Sequence, residues 1–171
     1  MVTTAIVIHS RPILEHDMLV ELFSNDYGKM RVFAKYAQSK KPRFGGMFNT
    51  FNMINASIVV RGSAMHIQSA KLIHGFNHLK QSYQKMHMAY DFLKVVQSTA
   101  QMQQESQALF DALVESLNDI EEDAANEAAI KHKFYRAVLH TEGVLDHASA
   151  SDQNLESMLE SYANIRLKGA K

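Results

Sequence analysis

A chain of 171 residues, 46% hydrophobic and 21% charged, has ordinary globular composition and room for one domain or two small ones. The absence of cysteine excludes disulfides and thiolate zinc sites. No uninterrupted apolar run approaches the ~18 residues needed to cross a bilayer, so no membrane role is expected. "MVTTAIVIHSRPILEHD" has no basic segment ahead of its short apolar run; it does not read as a secretory signal, and the expected compartment is the cytoplasm.

In the first half, β-branched and aromatic residues come in short runs. Thr3–Arg11 reads as a strand, and Asp17–Ser24 alternates in part. "NDYG" supplies turn chemistry, with Gly28 able to take positive φ. Lys29–Ala37 alternates clearly: Met30, Val32 and Ala34 point one way, and Lys29, Arg31 and Lys35 the other. "QSKKPRFGG" reads as a loop. Phe51–Arg61 and Met65–Gly75 read as two further strands joined at Gly62–Ser63. Five strands in so short a segment resolve their edges by closing, and a five-stranded OB-type barrel is the expected form. The pattern alone leaves an SH3-like barrel open.

From about His78 the apolar period becomes helical. Leu79, Tyr83, Met86, Tyr90, Leu93 and Val96 mark one helix, and Leu109, Leu113, Leu117 and Ile120 a second. Ile130, Phe134, Val138 and Leu139 mark a third, stopped at Gly143. Leu155, Met158, Leu159 and Tyr162 mark a fourth, with Ser151 or Asp152 as its N-cap. The expected class is therefore α+β: an OB-fold barrel over 1–77, then an α-helical bundle over 78–171.

The formal net charge of zero conceals an asymmetry. Residues 1–80 hold ten Lys/Arg against four Asp/Glu, net +6, and residues 81–171 hold eight against fourteen, net −6. Such a split suggests different partners for the two halves, with a polyanion suited to the first. Simple attraction between the halves is the plainer alternative. Within Gly28–Gly46 lie Lys29, Arg31, Lys35, Lys40, Lys41 and Arg43, with no acidic residue among them. Clustered cations raise the local potential and bind phosphates in a salt-dependent way. Tyr36 and Phe44 lie among them and are candidates to stack on unpaired bases.

In the helical half, Lys131, Lys133 and Arg136 neighbour Phe134. Basic residues rimming an apolar groove would suit an acidic peptide tail; an ordinary amphipathic helix with a core-facing aromatic has the same pattern. Catalytic signals are missing. "FGG" at Phe44–Gly46 lacks the Lys-Ser/Thr of a phosphate loop and no nucleophile elbow occurs; of the nine histidines, His132, His140 and His147 share no metal-binding spacing with a carboxylate motif, and His74 and His78 straddle the strand-to-helix boundary. Neither an enzyme nor a cofactor nor a metal is expected.

The ordered features resemble the RecO family of bacterial recombination mediators over roughly residues 3–145. They are "AIVI" at 5–8, Glu15 with Asp17, Tyr27–Gly28, "VFAKYAQSKK" at 32–41 and "PRFGG" at 42–46. "LIHGF", "YQKMHMAYDFLKVV" and "FYRAVLHTEGV" follow in order, and "ESYANIRLKGAK" is similar to the family's last helix. Typical members are longer, and many carry four zinc-binding cysteines after the glycine that looks like Gly143; this chain has none. The resemblance implies a non-enzymatic mediator in DNA repair. Such a protein would bind single- and double-stranded DNA and anneal complementary strands. It would engage the acidic C-terminal tail of single-stranded-DNA-binding protein, pair with RecR, assist RecA indirectly and associate with the nucleoid. An interaction adaptor without DNA binding of its own is the competing reading.

Overall fold

The computed structural model describes residues 1–13, 15–38, 44–145, 154–165 and 167. It divides into two compact units. One is Met1–Gly75 together with Gln101–Gln107; the other is Phe76–Ala100 together with Ala108–Lys171.

The first unit is a five-stranded barrel of β1 (Val2–Pro12), β2 (Met18–Ser24), β3 (Gly28–Ala34), β4 (Met53–Arg61) and β5 (Ala64–His74). The sheet closes in the order β1-β2-β3-β5-β4, antiparallel throughout except for the parallel β3–β5 pair. This is the OB topology, which removes free edges by closure. Two-residue alternation sends Val20 and Leu22 of β2, Met30, Val32 and Ala34 of β3, and Ile67 of β5 into one core. Gly62 turns β4 into β5 with φ +62°, pairing Arg61 with Ala64.

Closure between β3 and β5 is short. Among the described residues the two strands meet at Val32–Met65 and Phe33–His66. The start of β3 is instead covered by residues 101–103, which return from the helical sequence. The Lys29 N–H donates to the Gln101 carbonyl at 3.2 Å, and the Gln103 N–H donates to the Lys29 carbonyl at 3.0 Å. Gly28 has φ +60°, and a Cβ there would lie 1.9 Å from the Gln104 carbonyl oxygen. Only glycine lets the returning segment approach this closely.

The second unit contains α1 (Asn77–Gln81), α2 (Tyr83–Thr99), α3 (Gln107–Glu121), α4 (Glu127–Thr141) and α5 (Leu155–Ala163). The expected first helix is broken in two. Ser82 is extended (φ −113°, ψ 124°), and its hydroxyl accepts from the Lys85 N–H at 3.4 Å, opening α2. Helix α1 has no acidic residue in its first turn, and the Glu121 carboxylate of α3 accepts from the N–H groups of His78 and Leu79 at 3.2 and 2.8 Å. Asn126 caps α4 by accepting from the Ala129 N–H at 2.9 Å, and Gly143 takes φ +70° just past its end. Helix α5 begins after Asn154; the Ser151 and Asp152 expected as caps lie outside the described residues. Phe92 and Phe134, both fully buried, pack with centroids 4.2 Å apart and rings tilted by 31°.

Candidate nucleic-acid interface

The outer face of β3 follows from its inner one. With Met30, Val32 and Ala34 in the core, Lys29, Arg31 and Phe33 face outward. Register extends that face sideways: Glu21 opposes Arg31, Leu19 opposes Phe33, and His66 of β5 opposes Phe33 from the other side, while Phe23 of β2, opposite Lys29, is fully buried and closes the face at that end. The rings of Phe33 and His66 are 5.4 Å apart at their centroids and tilted by 30°. The result is an aromatic pair continued along β3 by two cations, the combination that binds single strands by stacking and charge.

The cations are not equivalent. Arg31 Nε donates to Glu21 Oε1 at 2.8 Å, with the Arg31 side chain 64% exposed. An exposed pair of this kind is worth only about 0.2–1 kcal/mol and exchanges readily for a phosphate. Burial lowers the Lys29 ammonium from its ordinary value, with Glu21 pulling it up and Arg31 adding to the lowering. Lys35 is exposed in the turn after β3. Tyr36 is exposed beside it in a left-handed conformation (φ 59°), its N–H donating to Asp17 Oδ1 at 2.9 Å. Lys40, Lys41 and Arg43 lie outside the described residues.

Phe44 requires a correction. It is only 3% exposed and packs on Phe48 in the barrel core, with centroids 4.9 Å apart, so it presents no face to a base. An aromatic in a basic loop serves either purpose by sequence, and here burial of the ring outweighs exposure. Conversely, the sequence reading passed over Phe33 and His66. The signal for Phe33 was present, since it continues the Lys29–Arg31 alternation; His66 becomes a partner only through the parallel register.

The proposed basic rim in the helical half is also corrected. Phe134 is fully buried and lines no groove. Lys131 is paired with Glu127 at 2.6 Å. Lys133 bridges Asp119 and Glu115, each at 2.8 Å, and these bonds raise its pKa above the ordinary lysine value. Arg136 is exposed. A cleft of about 510 Å³ does run beside α4 and α5, but Glu156 and Glu160 line it together with Lys131, His132 and Tyr135. That lining does not favour an acidic tail. Among the described residues no cluster of three or more His, Asp or Glu could hold a metal ion, and no helix is long and apolar enough to cross a membrane.

Residues 1–76, the whole barrel sequence, match the family model for the N-terminal part of recombination protein O. The DNA repair protein RecO of Caldanaerobacter subterraneus is 28% identical over 119 residues, which is 70% of this chain and 48% of that protein. The namesake from Anaeromyxobacter dehalogenans is 24% identical over 149 residues, 86% of this chain and 58% of that protein. Residues 1–76 belong to the RecO N-terminal family, and the similarity to RecO proteins continues into the helical sequence. A further family relative, from Erwinia tasmaniensis, is 34% identical over 67 residues, 39% of this chain and 27% of that protein. The chain spans about half the length of the RecO proteins that it matches.

Proposed function

We propose that this chain binds DNA and acts in recombinational DNA repair without covalent chemistry. One observation carries the reading. On an OB barrel, Lys29, Arg31 and Phe33 share the outer face of β3, with the His66 ring beside Phe33. Unpaired bases would stack at Phe33 and His66 while phosphates replace Glu21 on Arg31. Lys35, Tyr36 and the cations at 40, 41 and 43 would extend the same polyanion contact. Two strands held on one cationic face repel each other less, so complementary pairing nucleates faster. Annealing and help with recombinase loading are therefore the specific activities proposed, with single- and double-stranded DNA, RecR and single-stranded-DNA-binding protein as partners. If that last protein offers an acidic tail, the internally paired cations of α4 make residues 131–136 a poor receptor for it.

A second reading, a protein adaptor without DNA binding, is favoured by the Arg31–Glu21 pair, which already neutralises the most exposed cation of β3. Titration of a fluorescent single-stranded oligonucleotide across a salt series separates the two. Phosphate contacts give a log–log slope of about −0.7 for each phosphate neutralised. A flat response, or no binding at low salt, would leave the adaptor.

A further inference from the structure

Helix α2 carries a surface that the DNA reading does not use. Tyr83, His87, Tyr90 and Lys94 recur at helical spacing and share one face. Tyr83 is 78% exposed and Tyr90 47%. Between them lies a depression of about 190 Å³ lined also by Met86 and Asp91. Asp91 is its unusual member, for its side chain is 1% exposed. Oδ1 accepts from Lys94 Nζ at 2.8 Å. Oδ2 is buried with no hydrogen-bond partner among the described residues, and His87 Nδ1 stands 3.7 Å away, beyond hydrogen-bond reach.

A buried carboxylate oxygen without a donor is costly, and a group that supplies one gains accordingly. We propose that this depression receives an arginine side chain from a basic partner segment. The guanidinium donates to Asp91 Oδ2, reached by displacement of the partly exposed His87 ring, and its plane lies against Tyr83 and Tyr90. Three features select this occupant. The orphan atom is an anionic acceptor, so it takes a donor. The rim is aromatic, and arginine, planar and weakly hydrated, stacks on tyrosine better than lysine does. The helical half carries net charge −6, which attracts a basic chain and repels a nucleic acid. One carboxylate between two cations, here Lys94 and the incoming arginine, has the charge pattern of an Arg–Glu–Arg triad.

The test uses the full chain and a labelled peptide of Gly-Arg repeats, with the same peptide carrying citrulline in place of arginine as the neutral control. The arginine peptide should bind at least about tenfold more tightly than the citrulline one. The double substitution of Tyr83→Ala and Tyr90→Ala, both at exposed positions, should remove about tenfold of that affinity, and Asp91→Asn a comparable amount. If Asp91→Asn fails to fold, the tyrosine variant and the citrulline control still decide the matter. Equal binding of the two peptides, or a tyrosine variant within twofold of the parent, overturns the proposal. So does loss of single-stranded DNA binding in the tyrosine variant while peptide binding stays unchanged, which would make this face a nucleic-acid contact.

Discussion

Phe33 and His66 face each other across the parallel seam of the barrel, 5.4 Å apart at their centroids, where β3 and β5 meet. The stacking surface thus sits at the narrowest closure of the sheet.

Phe33→Ala should weaken single-stranded oligonucleotide binding by about 1–3 kcal/mol, the usual cost of losing one base stack. Duplex binding should change less, because paired bases offer no free face. Fluorescence anisotropy with both substrates gives the comparison; equal losses on the two would mean that Phe33 supports the barrel rather than the ligand.

Arg31 and Glu21 make a paired prediction. Arg31→Glu should lower affinity and reduce the salt slope by about 0.7 on single strands. Glu21→Gln should act in the opposite direction, because it releases the guanidinium from its 2.8 Å partner. The gain should be modest, within about 1 kcal/mol, the range of exposed ion pairs. Tighter binding by Arg31→Glu would place the phosphate path elsewhere.

Gly28→Ala should destabilise the barrel. The left-handed backbone costs an L-residue about 1–2 kcal/mol, and the new methyl would collide with the Gln104 carbonyl 1.9 Å away. Thermal unfolding should shift down, and amide exchange should accelerate at Lys29 and Gln103, whose hydrogen bonds join the two segments. Unchanged exchange at both amides would contradict this account.

Tyr135 gives a pH prediction. Burial raises its phenol pKa above the ordinary value, reinforced by Glu156, Asp91, Glu160 and Glu127. The unfolded chain therefore loses this proton first, at about pH 10. The stabilising contribution is complete below that pH and is lost as pH rises toward the higher folded value. Tyr135→Phe should flatten the alkaline arm of the stability curve. At neutral pH it should be near neutral, since the hydroxyl it removes is buried with no hydrogen-bond partner among the described residues. Urea midpoints from neutral to alkaline pH measure both effects.

Local pattern carried the elements well. Two-residue alternation marks β3, a glycine marks the β4–β5 turn, and apolar spacing marks the helices. The break at Ser82 escaped because Leu79, Tyr83 and Met86 keep helical spacing straight through it, while the break is made by a side-chain cap that periodicity does not register. Sequence offers Phe44 as a stacking ring and leaves Phe33 without a role for a related reason. Spacing separates the faces of a strand, but in a loop it says nothing about which ring turns inward. The partnership of Phe33 with His66, and the cover that residues 101–103 give to β3, depend on chain segments far apart in sequence, where no local period reaches.

The covering segment has a practical consequence for anyone dissecting this protein. Because residues 101–107 cluster with Met1–Gly75, no single cut separates barrel from helices. A fragment ended after the last strand would bare the backbone of Lys29 and invite strand addition from neighbouring molecules. Grafting 101–107 behind the shortened fragment through a flexible tether is the cleaner way to isolate it.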